Sequence, residues 1–166
     1  MEQQEVTSKQ YFKTLSAVYY ILIVGQGLWT VIAFASQYVT AERIITSHKT
    51  QGMFTILISF LAVSGFFVSK FLYNNSLRKI SANANLKQRM HCYKPALIGK
   101  QILLSFVSLC AAMAAFLTGE NIFLVFSLII ILLFFMDKPS AVRAARDLTL
   151  SPEDSLRVQN PDEIIA

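Results

Sequence analysis

The sequence predicts an all-α polytopic membrane protein: a four-transmembrane-helix bundle with a helical cytoplasmic hairpin and short C-terminal amphipathic helices. Three observations carry that prediction. Hydrophobic residues fill 54% of the 166 positions and charged ones 15%, with a mean hydropathy of +0.49, which is more apolar surface than a soluble core of this size can hide. The apolar residues fall in blocks long enough to cross about 30 Å of hydrocarbon, rather than in short alternating runs. Thirteen of the fifteen lysines and arginines fall on one side of a four-span path, leaving Arg43 and Lys49 for the other. By the positive-inside rule, that asymmetry puts the N-terminus, the central loop and the C-terminus in the cytoplasm.

The first span covers about 15–38, between Lys13 and the pair Glu42-Arg43, with Tyr19, Tyr20, Trp29 and Tyr38 as amphipathic rings. The second covers about 53–73 and carries Lys70 near its inner end, where a long side chain can snorkel. The third, about 101–118, ends in a tight Thr118-Gly119-Glu120-Asn121 turn that sends the chain back through the fourth, about 121–137. The apolar run of that fourth block is about 22 Å long at 1.5 Å per residue, so polar ends or local thinning must complete it.

Between the second and third spans, residues 74–100 keep a helical rhythm, with Leu77 and Ile80 three apart and then Leu86, Met90, Tyr93 and Leu97 at spacings of four, three and four. This predicts a helical hairpin turning near Asn83-Ala84-Asn85, its second arm kinked at Pro95. Residues 1–138 therefore form the membrane domain, and 139–166 a cytoplasmic amphipathic tail. In the tail, Asp137-Lys138-Pro139 suits a helix start with Pro139 at its first position and Val142, Ala145 and Leu148 as the apolar stripe. Ser151-Pro152-Glu153-Asp154 is a second start, with serine as cap and the acids at the positive end of the helix dipole. The chain past Asn160-Pro161 is expected to fray.

The net charge of +5 reads as orientation and contact with anionic headgroups, not as a nucleic-acid footprint. Cys92 and Cys110 lie at different membrane depths, out of disulfide range. The acidic opening Met1-Glu2-Gln3-Gln4-Glu5 lacks the basic flank of a signal peptide, so the first block should persist as a span.

The chemistry-bearing residues are few. Gln26 lies near the middle of the first span, where an unpartnered amide is costly, so it should face protein or water. Its flanking Gly25 and Gly27 would let another helix approach. Ser105, Ser108, Ala112, Ala115 and Gly119 make a small-residue stripe on the third span, and Thr55, Ser59, Ala62, Gly65 and Ser69 another on the second. The fourth span offers only Ser127 among bulky side chains, which makes it the lipid-facing or partner-facing helix. A partner or lipid surface is expected on the hairpin at Arg78, Lys79, Lys87, Arg89 and Lys94, with Met90 and Tyr93 on its apolar face.

None of the four apolar blocks contains an Asp or Glu, Asp137 standing only at the polar end of the fourth, which argues against proton-coupled transport. His91-Cys92 on one side and His48 on the other do not make a ligand set, and no CxxC, HExxH, GxSxG or phosphate-cradling loop occurs. The sequence thus points to no catalytic residue, no metal and no cofactor.

Tyr93-Lys94-Pro95-Ala96-Leu97-Ile98, Phe116-Leu117-Thr118-Gly119-Glu120-Asn121, Asp137-Lys138-Pro139-Ser140 and Asp147-Leu148-Thr149-Leu150-Ser151-Pro152-Glu153 together resemble a group of small bacterial four-span membrane proteins without an assigned function. The resemblance covers about the second half of the chain, rests on turn and cap signals, implies a bacterial inner-membrane location and transfers no activity. The resulting expectation is a non-enzymatic accessory, assembly or scaffold subunit acting through the basic hairpin and C-terminal helix. It would meet anionic lipid and a membrane or cytoplasmic protein, or further copies of itself, and no nucleic acid. The alternative is a small oligomeric transporter or channel subunit using Gln26 and the span hydroxyls as a polar path.

Overall fold

The structure is a computed structural model that describes residues 6–39, 47–80 and 84–165. Glu42-Arg43, Asn83 of the expected turn, and the terminal residues 1–5 and 166 lie outside the described residues. The chain is helical, in the order α1 (Ser8–Val39), α2 (His48–Arg78), α3 (Leu86–Thr118), α4 (Asn121–Met136), α5 (Ala141–Asp147) and α6 (Pro152–Gln159). Among the described residues three helices, α1, α2 and α3, are long and apolar enough to cross a membrane, and α4 with α5 brings the number of candidate spans to as many as four.

The first three helices run 32, 31 and 33 residues, about 46–50 Å at 1.5 Å per residue and well beyond a 30 Å hydrocarbon core. Their contacts explain the excess length, because the chain divides into two compact units that cut across these helices. Unit 1 comprises Met1–Tyr20, Lys70–Lys100 and Lys138–Ala166; unit 2 comprises Ile21–Ser69 and Gln101–Asp137. This division differs from the expected one at 138, since the N-terminal turns of α1 and the whole hairpin group with the C-terminal tail. The parts of α1, α2 and α3 in unit 2 (21–39, 48–69 and 101–118) are about 27–33 Å long, matched to a bilayer.

Unit 1 packs around Tyr11, Leu15, Tyr73, Leu86, Met90, Tyr93, Leu97, Ala144, Leu148, Val158 and Ile165. The rhythm of Leu86, Met90, Tyr93 and Leu97 does mark an apolar face of α3, but Met90 and Tyr93 are fully buried there, which corrects their placement on a docking surface. The face is already occupied by α5, α6 and the end of the chain. Ser140 caps α5 by accepting from the Arg143 N–H at 3.2 Å, so Pro139 precedes the cap instead of opening the helix. Val142 is 66% exposed, and Ala144 and Ala145 form the buried side of α5 in its place, continued by Leu148 at the C-cap. Ser151 caps α6 as expected, accepting from the Asp154 N–H at 3.2 Å, with Pro152 in the first turn.

The tail beyond Asn160 is tied down, contrary to the expected fraying. Thr7 and Ile164 form an antiparallel bridge. The Ser8 N–H donates to the Glu163 carbonyl at 2.9 Å, Lys9 N–H to the Pro161 carbonyl at 3.0 Å, and Ile165 N–H to the Val6 carbonyl at 3.1 Å. Ile165 then buries its side chain in the core, so its apolar area offsets the entropy of ordering the last residues.

Unit 2 packs around Ala33, Ile58, Ala111, Ala112, Ala114, Ala115, Phe123 and Leu124. Of the three long helices α3 is the most enclosed, with 56% of its apolar window buried against 17% for α2. Its alanines allow neighbours to come close. The turn from α3 into α4 needs Gly119, whose φ of 68° lies in the left-handed region. Outward, unit 2 shows Ile21, Val31, Met53, Ile56, Phe60, Phe67, Leu132 and Phe135, a surface far too apolar for water and suited to lipid.

Candidate functional site

On α1 the polar residues Gln26 and Thr30 are four apart and share one face, and both are buried. The Gln26 side-chain amide donates from Nε2 to Ser105 Oγ of α3 at 3.2 Å. Thr30 Oγ1 donates to the Gln26 carbonyl at 2.8 Å and lies 2.8 Å from Ser127 Oγ of α4, which is 3.0 Å from Ser108 Oγ of α3. One proton assignment satisfies the whole row: Ser108 donates to Ser127, Ser127 to Thr30, and Thr30 to the Gln26 carbonyl. Three helices are thereby joined by polar links, each of the kind worth about 0.6–2 kcal/mol between helices in a bilayer.

This row brings together Gln26, Ser105 and Ser108 of the expected residues and adds Thr30 and Ser127. Ser59 is half-buried on α2 and enters none of these bonds. One turn before Ser105, Gln101 is fully buried on the same face of α3, and neither end of its amide has a hydrogen-bond partner among the described residues. Gln26 Oε1 is in the same condition.

The glycines behave differently from expectation. Gly25 is exposed and Gly27 half-buried, and a Cβ at either would meet nothing within 4 Å, so they open no close helix approach. Gln26 points inward, and at 100° per residue its neighbours turn toward the flanks. The tight approach is at Gly65 of α2, where a Cβ would stand 2.5 Å from Val107 Cγ2 of α3. The small stripe of α3 does serve packing, with Ser105, Ser108, Ala112 and Ala115 all buried. Ser127, the one small residue of α4, turns inward with Phe123, Leu124, Ile130 and Phe134 while the opposite side of that helix stays exposed. Unit 2 also holds an open apolar groove of about 490 Å³ between Trp29, Phe54, Ile58, Phe106, Met113 and Leu117.

In unit 1 the polar centre is Asp147, at the end of α5. Tyr73 donates its phenol to Asp147 Oδ2 at 2.6 Å, and Arg143 and Arg146 approach the same carboxylate at 3.4 and 3.5 Å. Arg89 donates to the Leu148 carbonyl, a cation at the negative end of α5. Tyr11 donates to the Met90 carbonyl at 2.7 Å, and burial, then the nearby Tyr93, pushes its phenol well above the usual range. Lys100 stacks over the Tyr73 ring, 5.0 Å from its centre. Of the basic residues expected at a surface, Arg78 and Lys79 are exposed, whereas Lys87, Arg89 and Lys94 are half-buried.

No family model, curated protein or solved structure matches this chain. The site must therefore be read from its own chemistry. Among the described residues no three His, Cys, Asp or Glu side chains stand close enough to share a metal ion. Sequence reasoning missed Gln101, which reads as the polar flank of Lys100 although it is four residues before Ser105 and extends that stripe. It also missed Thr30, whose spacing from Gln26 was the available signal, and the role of Asp147, which the sequence offers only as the head of a turn-and-cap stretch.

Proposed function

We propose that this chain is a non-enzymatic four-span protein of the bacterial cytoplasmic membrane, with both ends inside, serving as an accessory, assembly or scaffold subunit. The observation that carries this reading is unit 1, a packed fold that the chain builds from its beginning, middle and end. A loop needed only to join spans has no use for a core of its own. Its exposed cations Arg78 and Lys79, with the half-buried Lys87, Arg89 and Lys94, give it a basic surface for anionic headgroups, each cation adding about 1 kcal/mol near the membrane. The same surface suits an acidic patch of a protein partner or of a second copy. Nucleic acid is not the intended polyanion, because these cations belong to the positive-inside pattern.

The test is a photo-crosslinking residue placed at Arg78 or Lys79 in native membranes, with Tyr20, half exposed at 49%, as the control position. The scaffold reading expects one discrete protein adduct, self or partner, from the two basic positions and not from the control. Lipid adducts alone would overturn it.

A second reading, a small oligomeric transporter or channel subunit, is favoured by the buried row from Gln26 to Ser108. Four short spans enclose little volume, so such a path would need several copies. Gln26→Leu separates the two readings: a solute flux lost with folding intact supports transport, and unaltered partner crosslinking with no flux in either protein supports the scaffold.

A further inference from the structure

We propose that Gln101 and Gln26 form an internal hydration site of unit 2, in which ordered water bridges the two carboxamides. Gln101 is fully buried and Gln26 is 1% exposed. Three of their polar atoms, Gln26 Oε1, Gln101 Oε1 and Gln101 Nε2, have no partner among the described residues. The two amides are connected through α3, because Ser105, the acceptor of the Gln26 Nε2 bond at 3.2 Å, is one turn from Gln101 on the same face. Turning the Gln26 amide over exchanges which end is bonded and leaves the other end over, so no rotamer of that group settles the account.

The leftover groups define the ligand. Two carbonyl oxygens call for donors and one NH₂ calls for an acceptor, so the occupant must both donate twice and accept. One turn from Gln26 on α1 and from Gln101 on α3 stand Ile23, Thr30, Leu97, Leu104 and Ser105, none of them charged, and the neighbouring Lys100 is engaged over the Tyr73 ring, so an ion would stand there without a counter-charge. A single water supplies two donors and an accepting lone pair, and the three bonds it would make are the usual number for a buried water. The site goes beyond the scaffold reading and does not depend on it.

Water-edited solid-state NMR on the full-length protein in lipid bilayers tests this. At short mixing times the Gln101 and Gln26 side-chain amide signals should gain intensity from water several-fold faster than the methyls of Leu104, which is 1% exposed. Because the water is shared, Gln26→Leu should reduce the transfer to the Gln101 amide at least two-fold. Transfer to Gln101 in the unsubstituted protein no faster than to Leu104 would overturn the proposal, and so would a Gln101 signal indifferent to Gln26→Leu. The first of these readouts needs no variant, so a Gln26→Leu protein that failed to fold would leave the proposal testable.

Discussion

Gly65→Ala should destabilise unit 2, whereas the same change at Gly25 or Gly27 should not. A Cβ at Gly65 would stand 2.5 Å from Val107 Cγ2, with Val107 Cβ and Cγ1 at 3.6 and 3.7 Å. Carbon atoms pack best at about 3.5–4.0 Å, so one methyl must give way by about 1 Å. Val107 is poorly able to yield, because a β-branched side chain on a helix has essentially one χ1 well. The strain must pass into the α2 and α3 backbones, and overpacking of this kind costs about 1–3 kcal/mol. The better helix propensity of alanine returns up to about 1 kcal/mol, so where that return is complete the net loss is at most about 2 kcal/mol. Reversible unfolding in mixed micelles, followed by helical circular dichroism, would measure it. Val107→Ala in the Gly65→Ala background should recover part of the loss, giving a coupling of about 1 kcal/mol or more in a double-mutant cycle. Gly25→Ala and Gly27→Ala, whose added methyl meets nothing within 4 Å, should be neutral or stabilising. If the double-mutant cycle shows no coupling between Gly65→Ala and Val107→Ala, the two helices are not in contact there and the reasoning fails.

Three further outcomes concern unit 1. Thr149 holds a φ of 48° just past α5, a left-handed position that costs a β-branched residue strain, and Thr149→Gly should raise the stability of unit 1 by about 1 kcal/mol in a thermal melt. Tyr73→Phe deletes the 2.6 Å bond to the Asp147 carboxylate and should cost about 2 kcal/mol, as expected for a hydrogen bond to a charged group; chemical denaturation of the intact protein would show the loss. The Tyr11 phenol is held up by burial and then by Tyr93, so the folded form keeps its proton after the unfolded form, with a pKa near 10, has lost it. Its contribution is therefore constant below about pH 10 and falls as pH rises beyond it. Tyr11→Phe should flatten that alkaline decline while lowering stability at neutral pH through the lost bond to Met90.

The helical class and the apolar blocks were legible because a helix able to cross lipid must show its length and composition directly in the chain. The interior position of Gln26 followed from the cost of an amide in hydrocarbon, and the buried Ser105, Ser108, Ala112 and Ala115 followed from their spacing. What failed was the assignment of partners to faces. Periodicity showed that Leu86, Met90 and Tyr93 share one side of a helix, yet no local pattern reveals that α5, α6 and Ile165 cover it. Gly25 and Gly27 were attractive because they flank Gln26, although two residues at ±100° from an inward side chain are poorly placed to meet the same neighbour. Gly65 had no such polar companion, and only the geometry with Val107 distinguishes it. The tail looked loose because its polar residues lie in the last turns, while its anchor is backbone pairing with residues 6–9, a long-range contact that composition does not encode.

The path of the chain across the bilayer is the claim on which the functional reading depends, and Cys92 reports it most directly. This thiol is exposed and falls in the basic segment assigned to the cytoplasm. In a Cys110→Ala background, a membrane-impermeant maleimide applied to intact spheroplasts should leave Cys92 unlabelled and should label it after the membrane is opened. Lys49→Cys in a protein also lacking Cys92 should label before opening. Labelling of Cys92 from outside intact spheroplasts would invert the topology and remove the proposed cytoplasmic role of unit 1.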